Sequence, residues 1–300
     1  MIRTVQYWRR RPPVCVAALW AIAIACGESR GQSDVARSGG RVKGNVSTRV
    51  TRAGKTAPDI PAITTGNAVQ SLALAAGRDP RAYREVSDTA ALAAGTVIGT
   101  VVITSRVPTE TAIEPTHDRG VCAAFTQAQV PSVDGGVGNA IVWLVGVTHG
   151  PPQRAPLRAA LTLERCRLEP RVQRAAVGGT LQLTSRDAMT SRLRFHDVGD
   201  DAAVRVIVPF TDAGQVVPTS AASQTPGLIE VRDDLHPWVR AYVAIAPHPF
   251  VAVTLPTGSF AFEGVPAGTY TLVVWQERLG IRFEPVRVTR GVETRVRIGF

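Results

Sequence analysis

From residue 96 to residue 300 the sequence predicts an all-β protein built from packed β-sandwiches. Short runs rich in Val, Ile, Thr and aromatic residues recur between turns that contain Gly or Pro, which is typical of many short strands. Residues 259–262 and 295–298 alternate strictly between apolar and polar side chains, as half-buried antiparallel strands do. No long segment has a helical period, so the pattern indicates sandwiches or barrels.

The predicted strands follow one another at short intervals along this part of the chain. Gly and Pro between them supply the turns that an antiparallel sheet needs. The strands are predicted at residues 96–104, 139–147, 159–165, 180–184, 192–198, 203–210, 228–232, 240–246, 250–254, 259–262, 269–276, 283–288 and 294–298.

The chain has a formal net charge of +10, from 34 Lys and Arg against 24 Asp and Glu. A positive net charge of this size favours binding to a nucleic acid or to an anionic membrane. Residues 96–300, however, hold 20 basic and 18 acidic side chains, so the part predicted to fold is close to neutral. It also lacks a basic stripe interleaved with aromatic residues. The sequence therefore predicts no nucleic-acid partner.

Residues 1–25 have the composition of a signal peptide. Four arginines and no acid accompany the apolar run 14–25, which is too short to cross the roughly 30 Å hydrocarbon layer of a membrane. Two kinds of cleavage before Cys26 stay open: residues 23–25 suit a general signal peptidase, and residues 23–26 resemble a lipoprotein box. We expect export to the periplasm, outer membrane or cell surface, with lipidated Cys26 as the membrane anchor.

Residues 26–95 are predicted to be a disordered, low-complexity tether. Tyr83 is the one aromatic residue in this segment, which is rich in Gly, Ser, Thr, Ala and Arg. Such a composition buries too little apolar surface to offset the entropy of ordering. Within the tether, residues 68–76 and 81–94 are predicted to form short helices.

Three cysteines stay in the chain after cleavage, at positions 26, 122 and 166. An odd number in an exported protein leaves one thiol over, and acylation of Cys26 would use that thiol. A disulfide between Cys122 and Cys166 is therefore predicted for an oxidising compartment. The alternative is two separate buried thiols.

The segment from Gly258 to Trp275 reads GSFAFEGVPAGTYTLVVW, which is a strand, a Pro-Ala-Gly turn and a second strand. It resembles the carboxypeptidase regulatory-like domain, a transthyretin-like β-sandwich, and residues 96–104 and 139–147 resemble the opening strands of that domain. The resemblance implies one domain in two segments, 96–154 and 250–300. These segments would enclose an insert of residues 155–249.

Other features of residues 96–300 resemble the exported cupredoxin proteins of the methylamine-utilisation type. These features are Cys122, the sequence ERCRLEPRV at 164–172, the sequence LHPW at 235–238 and the sequence HPF at 248–250. The resemblance implies that the insert 155–249 is a cupredoxin-like Greek-key β-sandwich.

A blue-copper site needs two imidazoles, a thiolate and a weak axial thioether. In cupredoxins a loop with the spacing Cys-x-x-His-x-x-Met supplies three ligands, and an earlier strand supplies the second His. Here Asp233 falls at the thiolate position, His236 at the imidazole position, Val239 at the axial position and Ser191 at the earlier His position. Because three of these four ligands are missing, no copper or other cofactor is expected. The alternative is a site for Zn or Mn, which takes harder oxygen and nitrogen ligands, with Asp233, His236 and His196 as candidates.

The sequence predicts a non-enzymatic protein, because it contains none of the common nucleophile, metalloprotease or phosphate-loop motifs. The expected function is a binding or scaffolding module whose partner is an envelope protein or a glycan. One alternative is a copper-binding electron-transfer protein. The other is a carbohydrate-binding envelope module, in which Trp238 would be an exposed ring that contacts the ligand.

Overall fold

A computed structural model describes residues 83–88, 93–105, 110–155 and 158–300 of the chain. These residues belong to one compact unit, Thr56–Phe300. The predictions for the signal peptide 1–25, for Cys26 and for most of the tether 26–95 lie outside the described residues. No helix in the described ranges is long and apolar enough to cross a membrane.

The described residues form strands and a single 3₁₀ turn, so the all-β fold class is confirmed. The turn is Ala221–Ser223. The strands are β1 (Arg84–Glu85), β2 (Ala94–Val102), β3 (Glu110–Ile113), β4 (Phe125–Ala128), β5 (Ile141–Val145), β6 (His149–Gly150), β7 (Arg158–Glu164), β8 (Arg167–Glu169), β9 (Val172–Ala176), β10 (Thr180–Ser185), β11 (Ser191–Asp197), β12 (Asp200–Phe210), β13 (Val216–Thr219), β14 (Gly227–Asp233), β15 (Arg240–Ala246), β16 (Val251–Val253), β17 (Ser259–Pro266), β18 (Gly268–Gln276), β19 (Gly280–Val288) and β20 (Glu293–Gly299).

Strands β7 to β15 form two facing sheets. One sheet has the order β13-β10-β7-β8 and the other the order β12-β11-β14-β15-β9. Strand β7 is parallel to β10, and β9 is parallel to β15, although the other neighbours are antiparallel. This order, in which strands cross between two sheets, is the Greek-key sandwich that the sequence predicts for this region.

The segments on either side of this region form a second pair of sheets. Strands β17, β2 and β20 form one, with β2 in the middle, and the other has the order β16-β5-β18-β19. Residues from before and after the Greek-key region therefore share both sheets, and β2 pairs in parallel with β20 near the end of the chain.

The four sheets stack as four layers with three apolar cores between them. The first core joins β2, β17 and β20 to β5 and β18, and the third joins β7 and β10 to β11 and β14. The middle core, which includes Trp143, Trp275, Tyr242 and Leu228, joins the two central layers. The two sandwiches share this buried core and belong to one compact unit. The domain boundaries 96–154, 155–249 and 250–300 therefore stay predictions.

Two expectations for the tether 26–95 change where the structure describes it. Residues 84–85 form β1, which pairs in parallel with β6, so the helix predicted at 81–94 is wrong at this point. Strand β2 also begins at Ala94, before the predicted boundary at residue 96. Tyr83 anchors this segment beside β6, because its hydroxyl donates to the Pro151 carbonyl at 2.7 Å. A Cβ at Gly150 would lie 2.6 Å from that hydroxyl, so the contact requires glycine there.

Candidate functional site

The four positions that the sequence resemblance assigns to copper ligands are all buried in the Greek-key region. Ser191 begins β11, Asp233 ends β14, His236 lies in the loop between β14 and β15, and Val239 immediately precedes β15. Strands β11 and β14 are neighbours, and their register pairs Leu193 with Asp233. The topology therefore brings the start of β11 to the β14–β15 loop.

Asp233 organises this loop, at the position where the sequence resemblance implies a thiolate ligand. Its carboxylate accepts hydrogen bonds from the backbone N–H groups of Arg192 and Leu235, each at 3.0 Å. The same carboxylate lies 2.7 Å from Nδ1 of His236. The loop is closed by backbone bonds from Asp233 N–H to the Val239 carbonyl and from Val239 N–H to the His236 carbonyl. A carboxylate that bonds its own loop in this way fixes the turn locally.

The imidazole of His236 lies between two carboxylates. Nδ1 faces Asp233, and Nε2 lies 2.7 Å from Oδ2 of Asp118, in the loop between β3 and β4. Burial lowers the pKa of His236, but the hydrogen bonds and negative charges of Asp233 and Asp118 outweigh burial, and the pKa is raised overall. A histidine that donates to a carboxylate from each of its two ring nitrogens is protonated on both of them, as an imidazolium. It then has no lone pair for a metal ion.

The three residues Asp118, His236 and Asp233 are called the carboxylate–imidazole clamp below. It connects the β3–β4 loop to the β14–β15 loop across 118 positions in sequence. A histidine whose pKa is raised by folding adds stability that is complete below its unfolded pKa, near 6.5, and is lost as the pH rises through the folded value.

We therefore expect the free energy of unfolding to fall as the pH rises above about 6.5, the ordinary pKa of histidine, because the clamp then loses its positive charge. Urea unfolding at a series of pH values measures this slope. His236→Gln should flatten the slope, and His117→Gln, on the same loop as Asp118 but without the clamp contacts, should leave it unchanged. An equal slope in wild type and His236→Gln would contradict the assignment.

His196, the third candidate metal ligand, belongs to a different set of contacts. It is fully buried in β11, and its Nε2 lies 3.2 Å from Asp201 and 3.3 Å from Glu230. The hydrogen bonds and ion pairs of the described ranges do not join His196 to Asp233 or to His236. Across those ranges, no group of three or more His, Cys, Asp or Glu side chains could hold a metal ion.

Cys122 and Cys166 form a disulfide, with their Cα atoms 5.5 Å apart, so this prediction is confirmed and the alternative of two separate thiols is wrong. Cys166 lies in the β7–β8 turn, where it and Arg165 both have positive φ angles. Such a turn suits a two-residue hairpin. The carboxylate of Asp187 accepts the N–H groups of both turn residues at 2.7 Å, and Met189 packs against the two sulfurs.

Trp238 was expected as an exposed ring, and this expectation is wrong. The ring is half-buried against the third core and meets the His236 ring edge-to-face, with centroids 5.4 Å apart. Its Nε1 is buried and has no hydrogen-bond partner in the part of the chain that is described. The ring lines a cleft of about 280 Å³ beside Tyr242 and the buried ion pair of Arg171 with Glu277. Trp238 is therefore only partly exposed, as part of the wall of this cleft, and its role as a ligand contact stays a prediction.

Asp118 belongs to this site, although no sequence pattern indicates it. Asp118 is half-exposed, has a φ of 50°, and accepts hydrogen bonds on its carbonyl from the backbones of Val121 and Cys122. The sequence holds one indirect indication: Asp118 lies four residues before Cys122, and a disulfide from Cys122 brings this part of the loop to the Greek-key region.

Comparisons with known proteins give a distant structural likeness. No family model matches the chain, and no curated protein matches it. Solved structures of amicyanin variants are similar to it. The reduced form of a tryptophan-to-tyrosine variant is 18% identical, covers 29% of this chain and 81% of its own, and has a TM-score of 0.26. The Cu(I) form of a methionine-to-alanine variant is 14% identical, covers 32% of this chain and 95% of its own, and has a TM-score of 0.25. A likeness this distant assigns no function to this chain.

Proposed function

We propose that this chain is an exported, non-enzymatic binding or scaffolding module, anchored to a membrane by a lipid on Cys26. Its Greek-key region would have exchanged a metal site for an internal clamp. On this proposal the protein holds no cofactor, works in the periplasm or at the outer membrane or cell surface, and binds an envelope protein or a glycan rather than a nucleic acid.

The observation that carries the proposal is the geometry of His236. Both imidazole nitrogens lie 2.7 Å from carboxylate oxygens, so neither is free to coordinate copper. Val239 offers no sulfur, and the buried hydroxyl of Ser191 is a poor replacement for an imidazole. Cys122 and Cys166 are joined in a disulfide and supply no thiolate. The residues present do not fit a blue-copper ion.

The two alternatives are less well supported. Copper electron transfer would need a thiolate close to His236, where Asp233 stands. Carbohydrate binding through Trp238 would need an exposed ring, although that ring is packed against His236. Neither alternative uses the clamp, whereas a scaffold benefits directly from a loop fixed on both sides.

We expect the mature protein to develop no thiolate-to-copper absorption band when it is titrated with Cu(II). The triple variant Ser191→His, Asp233→Cys, Val239→Met should become coloured. The new thiolate would occupy the position of Asp233, and its introduction would free Nδ1 of His236 for the metal. Asp118 would still hold Nε2, which is how an outer carboxylate orients a histidine ligand.

The matched control for this titration is the double variant Ser191→His, Val239→Met, which lacks the thiolate and should stay colourless. Circular dichroism would check that each variant is folded. A band in the wild-type protein that survives Cys26→Ser would contradict the proposed loss of the copper site.

A further inference from the structure

A cleft of about 350 Å³ lies where the edge strands of the two central layers meet. Strands β9 and β16 supply one side of it and β17 the other, and its charged residues are Arg154, Arg174 and Glu263. The volume is within the range of small-molecule sites, which is about 300 to 1,000 Å³. This cleft is separate from the clamp, because the two share no residue.

Arg174 is the central feature of the cleft. It lies in β9 and is half-buried, and its Nη1 donates to the Val251 carbonyl of β16 at 2.7 Å. This bond leaves the other guanidinium donors without a partner among the described residues, and none of them is a buried atom without access to solvent. They are accessible to solvent, and Arg174 is one of the residues that line the cleft. Burial also lowers the pKa of Arg174, and no acidic group offsets this effect.

Arg174 has no carboxylate partner among the described residues, whereas three other buried or partly buried arginines of the same fold have one. Arg171 has Glu277 as a bidentate partner, Arg194 has Asp234, and Arg205 has Asp197. No ion pair to Arg174 is formed within the described ranges. A partly desolvated guanidinium without a counter-charge is stabilised when an oxyanion binds to it.

Arg154 and Glu263 lie at the rim of the cleft. Their ion pair is 3.5 Å long, with side chains that are 62% and 71% exposed. An ion pair this exposed contributes little and competes weakly with a ligand. Arg154 can therefore turn to an anion in the cleft, although Glu263 opposes the anion by its negative charge.

We propose that this cleft binds a small ligand through a carboxylate or phosphate group, which Arg174 holds from within and Arg154 holds from the rim. This inference rests on the proposed binding function and names the chemistry of its ligand. A planar guanidinium donates two parallel hydrogen bonds to an oxyanion, and the carbonyl of Val251 fixes the orientation of Arg174 for this purpose.

Titrations followed by heteronuclear NMR would test the proposal with three probes: galacturonate, glucose 1-phosphate and neutral galactose. We expect saturable shifts for residues of β9 and β16 with one or both of the anionic sugars, and none with galactose. The two anionic probes distinguish a carboxylate ligand from a phosphate ligand.

Three variants make the test specific to the cleft. Arg174→Gln should weaken the binding of the anionic probe about tenfold or more, since a hydrogen bond to a charged group is lost. Glu263→Gln should tighten binding, because it removes the opposing charge and frees Arg154. This gain cannot arise from damage to the fold. Arg290→Gln, on an exposed turn outside the cleft, removes the same charge and should leave binding unchanged.

The absence of saturable binding by both anionic sugars would overturn the proposal, as would equal binding by Arg174→Gln and Arg290→Gln. Either result would leave the copper titration untouched, so the failure of this inference is distinguishable from the failure of the proposed function. A wild-type copper band together with anion binding at Arg174 would contradict the proposed loss of the copper site and support the anion site in the cleft.

Discussion

Breaking the ion pair between Arg171 and Glu277 should lower the free energy of unfolding by about 3 to 5 kcal/mol, because it leaves one charge buried without its partner. The pair joins the two central layers. Nε and Nη2 of Arg171 donate to the two carboxylate oxygens of Glu277 at 2.7 and 2.5 Å, and both side chains are almost fully buried. Burial would lower the pKa of Arg171, but its bonds to Glu277 raise the pKa overall.

Urea unfolding of Arg171→Met, Glu277→Gln and the double variant Arg171→Met, Glu277→Met would measure this effect. The double variant should lose less stability than Arg171→Met alone, since two apolar side chains avoid the cost of an unpaired buried charge. Arg186→Met is the matched control, because its pair with Glu164 is exposed and should contribute less than about 1 kcal/mol. Equal losses in Arg171→Met and Arg186→Met would contradict this account.

The strands that the sequence reveals best are those whose burial has a simple pattern. Residues 259–262 and 295–298 alternate, and they lie in β17 and β20 of an outer layer, where one face is buried and the other exposed. Strand β5 is buried on both faces in a central layer, and its sequence is a continuous apolar run. Both patterns could be read from the sequence because each reports the number of buried faces.

Several strands had no such pattern and were not predicted. Strand β9 reads VQRAA, with Arg174 inside it, and β3 and β4 are short and largely polar. Strand β9 exists because it pairs in parallel with β15, which is distant in sequence. Among the described strands, β3 and β4 pair only with each other, as a small two-stranded sheet. Local propensity is a weak guide where pairing and layer contacts decide the structure.

The site was accessible from the sequence only where residue types or counts constrained it. Spacing identified Asp233, His236 and Val239 as one loop, and the odd number of cysteines suggested the pairing of Cys122 with Cys166. The partner of His236 is Asp118, which is 118 positions away, and no local pattern indicates a contact of this kind. Trp238 was assigned to the surface because loops are usually exposed, whereas its ring packs on the core.

Removal of the disulfide by Cys122→Ala, Cys166→Ala should cost about 4 kcal/mol, on the chain-entropy model for a loop of this length. The cysteines are 44 positions apart, and their bond ties the β3–β4 loop to the β7–β8 turn. The same loop carries Asp118, so the disulfide also restricts the freedom of one arm of the clamp. Loss of the cross-link should therefore reduce the stabilisation that the clamp provides, and His236→Gln should cost less in the alanine variant than in wild type.

Two controls separate the covalent constraint from the packing of the sulfurs. Met189→Leu keeps the cross-link but changes the side chain in contact with it, and should cost less than about 1.5 kcal/mol. Reduction of the wild-type protein with a thiol, followed by urea unfolding, removes the cross-link without replacing a side chain and should reproduce most of the loss. If the reduced and oxidised proteins unfold at the same urea concentration, the prediction is wrong. The cross-link would then contribute nothing measurable through the entropy of the unfolded chain, and the clamp and the core would hold the β3–β4 loop without it.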